Sequence, residues 1–196
     1  METRGGILTF HAKSREDWRK WLEENHQSVQ SVWLIIYRKE SGIPTVYYPE
    51  AVDEALCFGW IDSKGNKRDD KSYYQFFSKR NTKSNWSKAS KDKVTNLIDE
   101  GRMTVAGQAL IGIAKENGAW TALDEVEDII IPNDMQMLFD VNKTALDNWG
   151  QFSRSSKRGI LEWILNAKRP ETRRKRIEET VKLAEMNVKA NQYNPK

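Results

Sequence analysis

The chain has 196 residues, 38% of them hydrophobic and 31% charged, and its 32 basic and 28 acidic side chains leave a formal charge of +4. That length suits one domain of ordinary size or two small ones, and the aromatic fraction of 10% argues against disorder. The apolar runs at Val32–Tyr37 and Ile129–Ile131 fall far short of a membrane span. So mild a positive charge permits contact with nucleic acid or an anionic membrane surface without demanding either.

The charge is laid down in blocks. Bases dominate Lys64–Lys91, acids dominate Glu116–Asp147, and the chain is basic again from Arg154 onward. Cys57 is the single cysteine, so no intramolecular disulfide can form. Met1–Gly6 begins no charged-then-apolar leader. These features together lead to the expectation of a soluble, cytoplasmic protein.

Taken in chain order, Ser14-Arg15-Glu16-Asp17 matches a capping box, with Trp18, Trp21 and Leu22 at helical spacing behind it. A first helix is therefore expected over Ser14–Asn25. Ser31–Lys39 is rich in β-formers and apolar enough for a central strand that ends at Ser41-Gly42. Pro49 suits the first turn of a short helix that reaches Phe58 and stops at Gly59.

Trp60–Ser63 and Tyr73–Lys79 read as two further strands of an antiparallel meander, with turn chemistry at Lys64-Gly65-Asn66 and Asp69-Asp70. Ser84 is placed to cap a helix that carries Trp86, Val94 and Leu97 to Gly101, and another helix follows over Thr104–Asn117. Pro132-Asn133 closes an acidic stretch and marks the expected boundary between an α+β domain, 1–131, and a helical module, 132–196. Helical patterns follow at Asp134–Val141, Lys143–Trp149 and Ser155–Ala167, then in a long helix opened by Pro170.

Three places invite a functional reading. In Tyr73-Tyr74-Gln75-Phe76-Phe77, strand alternation puts Tyr73, Gln75 and Phe77 on one face and Tyr74 and Phe76 on the other. One set is core; the other stacks on bases or packs under helices, and core on both faces is the plainer reading. Arg80, Lys83, Ser84 and Trp86 sit where a strand hands over to a helix. With Trp60 and Asp62 they form a candidate ligand site, because an arginine beside helix N-terminal amides suits a phosphate or carboxylate. The plain alternative there is a helix start with solvated lysines. Lys168, Arg169, Arg173 and Arg176 belong to the densest basic run and are candidate contacts for a phosphate backbone or anionic lipid. The competing reading is a solvated helix face whose arginines pair with Glu171, Glu178 and Glu179.

Nothing comparable points to catalysis. His11 and His26 have no cysteine or paired carboxylate beside them to complete a metal set. Cys57 lies on an apolar helix end and reads as packing. No Walker loop, GxSxG or HExxH occurs. No catalytic residue, metal or cofactor is expected.

Three segments carry a family resemblance: Leu56-Cys57-Phe58-Gly59-Trp60-Ile61-Asp62; Arg80 with Ser84-Asn85-Trp86-Ser87 and Leu97–Met103; and Trp163-Ile164 with Ala167–Arg173 and Arg176-Ile177. In these the chain resembles the bacterial YdeI/OmpD-associated, or bacteriocin-protection, proteins. Lys79 and Ser90 depart from that pattern. The resemblance implies an α+β N-terminal half, similar to YjbR/CyaY-like folds with a small antiparallel sheet flanked by helices, and a helical C-terminal module. It also implies a link to tolerance of bacteriocins or cationic antimicrobial peptides, which names no reaction or ligand. The leading expectation is a non-enzymatic binding protein with a basic-aromatic face for an anionic ligand, nucleic acid foremost. Alternatives are a factor acting through a protein partner in envelope stress, and a small-ligand sensor or enzyme with a pocket near Trp60.

Overall fold

The computed structural model describes residues 2–192, which form two compact units divided between Thr121 and Ala122. The first is α+β, as the sequence implies. Five strands, β1 (Thr3–Arg4), β2 (Ile7–His11), β3 (Ser31–Tyr37), β4 (Trp60–Lys67) and β5 (Ser72–Lys79), lie in the order β1-β2-β3-β5-β4. The sheet is mixed rather than wholly antiparallel. The helix α1 (Arg15–Asn25) crosses over between β2 and β3, and strands joined by such a crossover run parallel. β1 and β2 were not expected as strands; the Gly5-Gly6 turn between them, with φ of 57° and 78°, folds the N-terminal residues into a hairpin on the sheet edge.

The two remaining strand pairs are antiparallel. β4 runs straight through the expected Lys64-Gly65-Asn66 turn, because an irregularity between Asp62 and Gly65 absorbs the excess chain and lets pairing resume at Gly65 opposite Gln75. The turn lies at the other expected place, Asp69-Asp70, where the Lys71 N–H and the Ser72 hydroxyl donate to the Asp69 carboxylate at 2.8 and 2.9 Å.

The helices α1, α2 (Tyr48–Cys57), α3 (Lys88–Asp99) and α4 (Val105–Glu116) belong to this unit. Ser14 caps α1 as expected, accepting from Asp17 N at 3.2 Å, but the Asp17 carboxylate reaches Lys13 N and not Ser14 N. The main core draws Trp18, Trp21 and Leu22 from α1, Ala51, Ala55 and Leu56 from α2, and Val32, Leu34, Ile36, Trp60 and Phe77 from one face of the sheet. Trp18 and Trp21 stack with their ring centroids 5.1 Å apart.

Inside this core stands one carboxylate. Glu54 of α2 is fully buried and accepts from Arg15 Nε at 2.6 Å, from Arg19 Nη1 at 2.7 Å, from Arg102 Nε at 3.1 Å and from Arg102 Nη2. Three arginines on α1 and on the segment after α3 thus converge on one side chain of α2. Burial pushes the Glu54 carboxyl up, but the hydrogen bonds from Arg15, Arg19 and Arg102 outweigh it and hold the group below its ordinary 4.5.

α4 sits close on the end of α2. Thr104 Oγ1 donates to the Cys57 carbonyl at 2.5 Å, and a Cβ added at Gly107 would overlap that same oxygen and press on Met103 Sδ at 2.5 Å. Gly107→Ala should therefore lower stability by about 1–3 kcal/mol through overpacking. Gly112→Ala on the same helix meets nothing within 4 Å and should be neutral or stabilising. Chemical denaturation of the two variants tests the contact; equal midpoints would show that the helices are free to separate.

The second unit contains α5 (Asp124–Glu127), α6 (Asn133–Val141), α7 (Lys143–Gln151), α8 (Arg154–Leu165) and α9 (Pro170–Glu185). Its core includes Leu123, Val126, Met135, Phe139, Trp149, Ile160, Ile164, Ile177 and Val181. The break between units falls ahead of Pro132 because Leu123 and Val126, in the acidic stretch, are buried in this second core. Among the described residues no helix is long and apolar enough to cross a membrane.

Candidate functional site

Gly59 ends α2 in the left-handed conformation, φ 74°, and turns the chain into β4. Its carbonyl accepts from Arg80 N at 3.0 Å, so the end of β5 is fastened beside the start of β4. An open cleft of about 340 Å³ lies there, walled by Phe58, Trp60, Ala106 and Leu110 and edged by His26, Lys79 and Arg80. Lys79 and Arg80 face it, and among the described residues no carboxylate lines it.

Arg80 is the unusual member. Its side chain is only 8% exposed, and its guanidinium carbon lies 3.9 Å from the centre of the Trp86 ring. Nη2 donates to the Asn85 carbonyl at 2.6 Å, while Nε is buried and has no hydrogen-bond partner. Burial pushes its pKa down, with no neighbouring acid to push it back. A cation over an indole gains about 2 kcal/mol when desolvated, which does not replace a counter-ion.

The other cleft groups are held in place. Lys79 Nζ donates to the Gln27 carbonyl at 2.7 Å. Trp60 is 1% exposed and directs its Nε1 at the His26 carbonyl, 3.4 Å away. His26 Nδ1 lies 2.9 Å from the Leu22 carbonyl, which can only accept, so the proton sits on Nδ1.

Trp60, Arg80 and Trp86 of the expected constellation are thus gathered around one end of the sheet, but Asp62 and Ser84 take no part. Asp62 lies two residues along β4, where its carboxylate accepts from Tyr48 Oη at 2.7 Å and Gln75 Nε2 at 3.4 Å. Burial, then this carboxylate, pushes the Tyr48 phenol up to about 12. Ser84 is exposed in a turn, with its own N–H on the Asn81 carbonyl. The cap of α3 is Ser87, which accepts from Ser90 N at 3.3 Å, because Trp86 is pinned to the core by its N–H on the Ala119 carbonyl and cannot enter the helix. Lys79, Gly59 and His26, which the sequence marks only as a departure from the family pattern, a helix stop and an incomplete metal set, join the site in the fold. Strand alternation alone places Lys79 on the face of Gln75 and Phe77.

Of the basic run in the second unit, Arg173 makes two bonds to the Asp134 carboxylate, 2.9 and 3.0 Å. Arg176 donates to the Trp163 carbonyl and lies 4.8 Å over its ring. Lys168 and Arg169 are exposed at the start of α9. Cys57 is buried, and burial pushes its thiol up to about 11, far from a thiolate. Among the described residues no group of three or more His, Cys, Asp or Glu side chains is placed to hold a metal ion.

Residues 10–110 match the model of a domain of unknown function, DUF8412, which covers just over half of the chain. The chain belongs to the DUF8412 family. Within the match lie β3 to β5, α1 to α3, and every residue that lines the cleft. Residues 128–187 match the family described as bacteriocin-protection, YdeI or OmpD-associated, in support of the resemblance carried by Trp163–Ile177. No finding supports the YjbR/CyaY-like expectation, since the N-terminal match is to DUF8412. No curated protein and no solved structure matches the chain.

Proposed function

We propose that this chain is a binding protein whose Gly59–Arg80 cleft takes a small anionic ligand through a phosphate or carboxylate group. The observation that carries this reading is Arg80, a buried guanidinium with an unpartnered Nε and no carboxylate on the walls around it. A doubly bonded anion at Arg80, flanked by Lys79, would supply both the missing acceptor and the missing charge. The apolar walls, Phe58, Trp60 and Leu110, would hold the body of such a ligand. The description of the family that matches the second unit favours a setting in bacteriocin protection, and the single cysteine favours the cytoplasm.

Isothermal titration of the full chain with inorganic phosphate, pyrophosphate and citrate tests the proposal. One anion at least is expected to bind with one-to-one stoichiometry and to raise the unfolding midpoint of the protein. Lys79→Ala should weaken that binding by about tenfold. Absence of both heat and stabilisation with all three anions would refute the reading.

A further inference from the structure

The sheet has a second face, and no helix residue enters its apolar cluster. Trp33, Ile35 and Tyr74 are buried there, with Ile7, Tyr37 and Phe76 packed against them, and all six belong to strands. Trp33 and Phe76, cross-strand partners on β3 and β5, have ring centroids 4.8 Å apart.

Cations cover these rings. The Arg4 guanidinium lies 4.5 Å from the centre of the Tyr74 ring and 5.2 Å from that of Trp33. Lys64 Nζ stands 5.8 Å over Trp33, and Arg68 5.8 Å over Tyr74. Trp33 and Tyr74 are only 5% and 7% exposed, while Phe76 and Tyr37 are partly open. Arg68 is already engaged with Glu2 and Asp69, and Glu2 also accepts from Tyr74 Oη. Arg4 and Lys64 have no ion-pair partner among the described residues.

We propose that this face is a binding platform for single-stranded nucleic acid. Three groups of observations favour that occupant. Two cations without an ion-pair partner among the described residues, with Arg68 beside them, give phosphates a place to sit above a sheet. Phe76 and Tyr37 offer ring surface on which bases stack without regard to sequence. Tyr37 lies four residues beyond Trp33 on β3, roughly 13 Å along the strand, which leaves room for the two or three bases that aromatic residues on an RNA-binding sheet accommodate. A duplex keeps its bases inside and could use only the charges. A lipid surface fits less well, because none of the large, well-exposed hydrophobic side chains among the described residues belongs to this cluster. The proposal does not depend on the cleft, which shares no residue with this face.

Fluorescence anisotropy of labelled oligo-uridine, oligo-thymidine and a DNA duplex, titrated with the full chain at low and near-physiological salt, decides it. Single strands should bind more tightly than the duplex, with affinity falling steeply as salt rises. Arg4→Glu with Lys64→Glu should weaken binding by about a hundredfold. Phe76→Leu, which keeps an apolar side chain in place, should weaken it by about fivefold or more. The double variant Lys20→Glu with Lys182→Glu makes the same change in net charge on exposed helix positions and should stay within about twofold of the parent chain. Melting followed by circular dichroism confirms that each variant is folded; should Arg4→Glu with Lys64→Glu fail to fold, Arg4→Gln with Lys64→Gln takes its place. The proposal is overturned by no binding at low salt, by an equal or greater preference for duplex, or by equal losses in the two charge-reversed pairs. It is also overturned if folded platform variants bind as the parent does.

Discussion

Replacing Glu54 by alanine should destabilise the first unit by about 3–5 kcal/mol. The carboxylate is fully buried and is the shared acceptor of Arg15, Arg19 and Arg102, so its removal leaves three guanidinium groups close together with their common counter-charge gone. The arginine side chains are only partly buried, 24–30% exposed, so the loss comes from their mutual repulsion and from the contacts that joined α1 and the Arg102 segment to α2 through Glu54. Thermal unfolding should report a fall of about 10 °C or more. A change below about 1 kcal/mol would mean that the arginines find other partners and that the cluster is decoration.

The same group sets an acid limit. Its folded-state pKa lies below the ordinary 4.5, so the unfolded chain takes up the proton first as pH falls. The stability contributed by Glu54 is therefore complete above 4.5 and is lost as the pH drops through the depressed folded value. The gap between the parent chain and Glu54→Ala should be constant near neutrality and should narrow below pH 4.5. A gap that widens on acidification would contradict the assignment.

Arg80→Met should have the opposite signature. Anion binding should fall by about a hundredfold or more, since methionine supplies neither charge nor donor. Stability should stay within about 1 kcal/mol of the parent or rise, because the substitution removes a buried, under-satisfied cation while a flexible thioether still packs on the Trp86 ring. The combination matters more than either number. Lost affinity with retained stability marks a residue kept for its ligand. A loss of more than about 2 kcal/mol with anion binding unchanged would make Arg80 a strut between β5 and Trp86.

Much of this architecture was legible in the residues. Trp18, Trp21 and Leu22 at helical spacing, the β-branched run at Val32–Tyr37, and Gly59 as a stop each reflect a local preference that packing then reinforced. The misreadings are equally physical. β2 is only five residues long and half-buried, and its strand identity comes from pairing with β3 across a helix, which no local pattern reveals. Ser84, Ser87 and their neighbours are equivalent candidates for a cap until the burial of Trp86 chooses between them. Glu54 stands in the apolar stretch Ala51–Cys57, a signal that a charge is being buried, but its three partners are distant in sequence.

Composition, periodicity and turn chemistry by themselves determined the α+β class, the helical second half, most helix limits and the concentration of rings and bases between Trp60 and Trp86. These are properties of short windows, where side-chain period and backbone preference act over a few residues. Tertiary structure alone decided which of those rings and bases meet. It put Arg80 over Trp86 but sent Asp62 to Tyr48, it tied Arg173 to Asp134, and it gathered Arg4, Lys64 and Arg68 from separate strands and turns onto Trp33 and Tyr74. Strand register and chain crossover govern such meetings, and both are settled by burying one continuous core, a property of the whole unit and of no window within it.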